Sequence, residues 1–128
     1  MKIVKKTSRK KSSWPAREIA RIAREAAAAK KAEDIVALDM RPVSSVADVF
    51  FICTALNERQ VEAIVRSIEE SLENAGVPVL RIEGLPEARW VVMDCGDVLL
   101  HVFLPAVRSF YSLETLWGDA PKISWLAG

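Results

Sequence analysis

The sequence predicts an α/β (α+β) chain folded as one domain, a mixed five-stranded sheet flanked by helices. Three observations predict it. Two apolar runs rich in β-branched and aromatic residues, Asp48–Thr54 and Val98–Leu104, read as interior strands. Two segments, from Ile19 and from Val61, repeat apolar residues at helical spacing. The chain has 128 residues, enough for a single core.

The elements follow in order. Ser13 and Pro15 suit a helix start, and Ile19, Ile22, Ala23 and Ala26 form its inner stripe as far as Lys31. Asp34–Met40 is a short apolar strand, and Pro42 marks the turn after it. Beyond the Asp48–Thr54 strand, Asn57 caps a second helix with Gln60 three residues on, as in a capping box. Val61, Ile64, Val65, Ile68 and Leu72 make its stripe, Gly76 ends it and Pro78 forbids continuation. Glu62 with Arg66, and Arg66 with Glu70, are spaced for ion pairs. Glu69, Glu70 and Glu73 in the last turns oppose the helix dipole, so helix stability does not explain them. Strands are predicted at Val79–Glu83, Arg89–Asp94 and Val98–Leu104, the last two joined by a hairpin turn at Cys95-Gly96. The passage from Asp48 to Glu83 reads as a right-handed crossover between parallel strands. Pro105 opens a final helix with Val107, Phe110, Leu113 and Trp117 inward, closed by Gly118 and Pro121.

The formal net charge of +1 conceals an asymmetry. Residues 1–13 hold Lys2, Lys5, Lys6, Arg9, Lys10 and Lys11 and no acid, leaving residues 14–128 net acidic. Such a tail buries too little apolar surface to offset its chain entropy and is expected to be disordered. Its charge suits phosphate through counterion release; a merely solubilising tail is the alternative. No apolar run reaches the roughly 18–20 residues of a membrane span. The two cysteines, Cys53 and Cys95, are too few for a disulfide framework or a metal site, and reduced thiols suit a cytoplasmic protein.

Little in the chain points to catalysis. Asp94 and Asp97 flank a turn, where Asp serves local backbone geometry as readily as a metal. Ser44-Ser45 ahead of Asp48 resembles the nucleotidyltransferase pattern, but Phe50 stands where the second carboxylate belongs. His101 is the sole histidine, lies inside a strand, and has no nucleophile motif beside it. Glycine-rich phosphate loops are absent, so no cofactor and no enzymatic activity are expected.

The hairpin offers a binding surface instead. With Cys95-Gly96 as a two-residue loop, Asp94 faces Asp97, Val92 faces Leu99 and Trp90 faces His101. One face then carries Trp90, Val92, Leu99, His101 and Phe103, rimmed by Asp94, Gly96 and Asp97. The other carries Val91, Met93, Val98, Leu100, Val102 and Leu104 and belongs to the core. The mixed face is either covered by a helix or open to a partner, for which a tryptophan-centred patch is the usual anchor. Its carboxylates would favour a basic partner.

These stretches carry a resemblance. DIVALDMRPVSSVADVFFICTA, ERQVEAI, VLRIEG, RWVVMDCGDVLLHVFLP and FYSLETLWGDAP resemble the ribosomal silencing factor (RsfS/Iojap) family, and the resemblance covers essentially Ile19 to Pro121. The resemblance implies a fold related to nucleotidyltransferases without their catalytic acids. It implies binding to the large ribosomal subunit through ribosomal protein fourteen, blocking of subunit association, and repression of translation. It also implies a homodimer. The family's tryptophan, acidic turn and histidine fall on Trp90, on Asp94, Gly96 and Asp97, and on His101. The basic tail is not general to the family, and a contact between it and ribosomal RNA is the expectation that follows.

Overall fold

The computed structural model describes residues 15–111 and 120–123, with side chains placed to residue 108 and again over 120–123. The basic tail and the helix positions Phe110, Leu113 and Trp117 therefore lie outside what is described of the chain or its side chains. The elements run α1 (Ala16–Ala29), β1 (Glu33–Asp39), β2 (Val49–Thr54), α2 (Glu58–Asn74), β3 (Arg81–Glu83), β4 (Trp90–Asp94), β5 (Val98–Phe103) and α3 (Pro105–Tyr111). The strands form one five-stranded mixed sheet in the order β1-β2-β5-β4-β3.

Local chemistry sets the helix ends. Asn57 accepts a hydrogen bond from the Gln60 backbone N–H, starting α2 as its sequence predicts. Gln60 does not close the box on Asn57, however. Its Oε1 accepts from the Leu56 N–H, and its Nε2 donates to the Lys30 and Lys31 carbonyls, binding the start of α2 to the end of α1. Both helices finish in the same way. Ala32 N–H bonds to Ala27 O and Lys31 N–H to Ala28 O; Val77 N–H bonds to Leu72 O and Gly76 N–H to Glu73 O. The second motif places Gly76 at φ +84°, and the first holds Lys31 at φ +65°. The ion pairs expected of Arg66 with Glu62 and Glu70 do not form; in α1, Arg21 pairs with Glu18 and Glu25.

The two central strands, VFFICT and VLLHVF, are buried along their whole length, as parallel neighbours covered on both faces should be. Val49, Phe51 and Cys53 of β2, Val91 and Met93 of β4, and Val98, Leu100 and Val102 of β5 point to α1 and α2, forming the main core. A second cluster fills the opposite face, where Phe50, Ile52, Leu99 and Phe103 meet Leu38, Met40, Ala47 and Ala120.

The crossover from β2 to β3 joins parallel strands of one sheet, as its sequence predicts, but they are not neighbours. β2 pairs in parallel with β5, while β3 pairs antiparallel with β4 at the far edge. β2 and β3 thus run in the same direction, but β5 and β4 lie between them. The final strand inserts beside β2 because it is the more apolar and can be buried on both faces. The three-residue β3 has only partly buried side chains after Arg81 and sits at the rim, where short strands limit edge pairing.

Candidate partner-binding surface

The β4–β5 hairpin positions every residue predicted to meet a partner. Its register differs from the expected one: Asp94 pairs with Leu99, Val92 with His101 and Trp90 with Phe103. Cys95 N–H bonds to Val98 O, so the two-residue loop is Gly96-Asp97. Gly96 takes φ +83° at the first loop position, where a II′ turn requires glycine. The expected partners are therefore displaced by two residues. A shift of two preserves the facing of every side chain, so the predicted division into two faces holds although the pairs do not. Asp94 Oδ1 accepts the Gly96 N–H at 2.8 Å, the local turn role open to that aspartate from its sequence context.

Trp90 stands diagonally opposite His101 and donates its indole Nε1–H to His101 Nδ1 at 3.3 Å. The imidazole lies nearly parallel to Phe103, with ring centroids 5.7 Å apart and an interplanar angle of 12°. Trp90 also meets Phe103 at 5.1 Å, and Phe50 reaches His101 from β2 at 4.9 Å. The four rings make one cluster rooted in three strands. Sequence reading missed Phe50, although alternation along VFFICT places it on this face once β2 and β5 are known to pair.

Exposure divides the predicted residues. Leu99, His101 and Phe103 are 2%, 3% and 0% exposed, and Gly96 is buried, whereas Trp90 is 36% exposed. Val92, Asp94 and Asp97 are partly exposed. The face is thus both core and surface: a buried floor of Leu99, His101 and Phe103, with Trp90 at one end and the acidic turn at the other. Burial pushes the His101 imidazolium down to about 3, so the ring is neutral near pH 7.

The loop entering β4 sets where Trp90 stands. Gly84 has φ +91°, and a Cβ placed on it would lie 2.2 Å from the Trp90 carbonyl oxygen. Ala88 N–H bonds to Gly84 O, and Leu104 N–H bonds to Arg89 O. Only glycine permits this close approach, a second contribution the sequence reading passed over; a glycine directly after the β3 strand was its signal.

Other chemistry is sparse. Cys53 and Cys95 are buried free thiols pushed up to about 12 by desolvation, unsuited to act as nucleophiles. Among the described residues no group of three or more His, Cys, Asp or Glu side chains is placed to hold a metal ion. No described helix is long and apolar enough to cross a membrane.

Comparison with known proteins places the whole chain. Residues 13–127 match the family model described as ribosomal silencing factor during starvation. The chain is 50% identical over 105 residues to the ribosomal silencing factor RsfS of Bacillus subtilis, covering 82% of this chain and 89% of that one. It is 44% identical over 106 residues to the RsfS of Halalkalibacterium halodurans, covering 83% and 91%. A crystal structure of a protein from Chromobacterium violaceum is similar with a TM-score of 0.80 at 38% identity, covering 90% of this chain and 95% of that one.

Proposed function

The chain belongs to the ribosomal silencing factor family, and from that premise we propose that it binds the large ribosomal subunit through ribosomal protein fourteen and so keeps the small subunit from joining. It acts by occupying a surface, without making or breaking bonds. The observation that carries the reading is the partly exposed Trp90, held by His101 at one end of a hairpin whose other end, at the turn, carries Asp94 and Asp97. A rigid indole with carboxylates at the far end of the same hairpin suits a basic protein partner: the ring supplies apolar area at low entropic cost, and the acids supply charge complementarity.

Leu99, His101 and Phe103 serve this surface from beneath, as supports that hold Trp90, while Val92, Asp94 and Asp97 share its outer side. The basic segment 1–13 adds contact to ribosomal RNA phosphates. The family resemblance is also the ground for a cytoplasmic location and for a homodimer when the chain is off the ribosome. Capture of purified large subunits by the wild type and by Trp90→Ala tests the reading. Truncating such an anchor costs about 2 kcal/mol, roughly a thirtyfold loss of affinity, with the fold intact. Equal capture by a folded Trp90→Ala protein would remove the indole from the interface.

A further inference from the structure

The face that carries Trp90 continues past the hairpin onto β3. Ile82 packs against the main core, so Arg81 and Glu83, which alternate with it, lie on the opposite face. Strand pairing sets Arg81 beside Asp94 and Glu83 beside Val92, on the side of Trp90. Exposure rises outward across this face: Leu99, His101 and Phe103 of β5 are buried, Val92 and Asp94 of β4 are half-buried, and Arg81 is exposed. The hairpin pattern alone singles out neither Arg81 nor Glu83; strand order brings them there.

Of the carboxylates that strand register puts on this face, Glu83 stands nearest Trp90. It is one diagonal step away, about 7–8 Å between backbone positions. Asp94 lies four residues along β4, about 13 Å distant at the ordinary strand rise. The end of β3 is also held against β4, since Gly84 approaches the Trp90 carbonyl oxygen closely enough to exclude a Cβ. Glu83 and the indole therefore keep a fixed separation.

Glu83 has a partner of its own. Arg81 Nε lies 3.2 Å from Glu83 Oε2, and the two side chains are 42% and 40% exposed. At that exposure an ion pair adds little net stability, because water screens it and both side chains lose freedom. Arg81 can therefore give way to an incoming cation at small cost. An arginine suits the place, because its guanidinium both stacks on an aromatic face and forks onto a carboxylate. Phosphate is repelled by the same carboxylate, so the occupant is protein and not RNA.

We infer that Glu83 is a further binding residue of this surface: it receives a basic side chain of the large-subunit protein, an arginine lying across Trp90, and Arg81 holds its carboxylate until that side chain displaces it. The inference rests on the reading that Trp90 meets the large subunit.

Equilibrium capture of purified large ribosomal subunits over a range of salt concentrations tests this. The wild-type full chain is compared with Trp90→Ala, Glu83→Gln, Arg81→Ala and the double exchange Arg81→Glu with Glu83→Arg. Glu83→Gln should weaken capture by about tenfold and flatten its salt dependence. Arg81→Ala should bind at least as tightly as the wild type, because the carboxylate has lost its competitor. The exchange keeps the ion pair and the net charge but moves the carboxylate along β3. It should therefore keep the wild-type melting temperature and capture as poorly as Glu83→Gln. Capture that falls with Trp90→Ala but ignores Glu83→Gln would overturn this inference and leave the Trp90 reading standing. An exchange protein that captures like the wild type would overturn it as well, since only overall charge would then matter. Self-association altered by Glu83→Gln with capture unchanged would overturn it and assign β3 to contact between copies. A wild type that captures no large subunit would overturn both readings.

Discussion

The hydrogen bond from Trp90 Nε1 to His101 Nδ1, 3.3 Å long, fixes the state of both rings. An indole N–H only donates, so Nδ1 accepts and the imidazole proton sits on Nε2. Protonating His101 at both nitrogens would remove that acceptor and place a charge among Phe50, Trp90 and Phe103. The partly exposed ring is thus held by a buried neutral one.

A pH dependence follows. His101 has its folded value pushed down to about 3, well below the ordinary histidine value of 6.5. Its contribution to stability is fully present above the unfolded value and is lost as pH falls from about 6.5 toward 3. The slope approaches about 1.4 kcal/mol per pH unit. Asp39, held low by Arg41, adds a loss of the same sign at acid pH in every variant. Urea unfolding of the wild type and of His101→Phe between pH 7 and pH 4 separates the two: the wild type should lose stability more steeply through this window. Parallel curves would show that His101 is not buried neutral.

Gly84 and Gly96 both have positive φ, but only Gly84 lies against backbone. A Cβ there meets the Trp90 oxygen at 2.2 Å, whereas one on Gly96 meets nothing within 4 Å. Gly96→Ala should cost about 1 kcal/mol from conformation alone. Gly84→Ala should cost clearly more, about 3 kcal/mol, and should alter Trp90 fluorescence by displacing the start of β4. Equal losses in thermal unfolding would contradict the close approach.

Arg108 is a buried cation that binds α3 to the sheet. Its Nη1 donates to Thr54 Oγ1 at 2.6 Å and to the Asp34 carbonyl at 3.0 Å. Asp34 itself has φ +50°, next to the register shift that bends β1. Arg108→Met keeps much of the side-chain volume and should cost about 1–3 kcal/mol in chemical denaturation, because Thr54 and the Asp34 carbonyl lose a charged donor. Thr54→Val should cost less, since the bond to Asp34 survives.

How far the sequence revealed this molecule depends on the range of the information. Asn57, the Val61–Leu72 stripe and Gly76 are local signals, and α2 ends where they say. The two faces of the β4–β5 hairpin were legible because a two-residue shift leaves parity untouched, even though Trp90 pairs with Phe103 and not with His101. Strand order was not legible: nothing near β3 tells it to pass over β5 and pair with β4. Nor was the cover on the Leu99–Phe103 floor. It comes from Met40, Ala47 and Ala120, distant in sequence and free of any period that would announce them.

The basic segment gives a separate prediction. If Lys2, Lys5, Lys6, Arg9, Lys10 and Lys11 meet ribosomal RNA phosphates, deleting residues 1–13 should weaken large-subunit binding at low salt and flatten its dependence on salt concentration. A salt slope identical to that of the full chain would assign the segment no phosphate contact.

The central claim is that this domain blocks subunit joining by covering a docking surface, and sucrose-gradient sedimentation of purified large and small subunits tests it most directly. Saturating protein should shift material from joined ribosomes to free subunits, with the protein travelling with the large one, and Trp90→Ala should need a roughly thirtyfold higher concentration for the same shift. Joined ribosomes undiminished at saturation would contradict the claim.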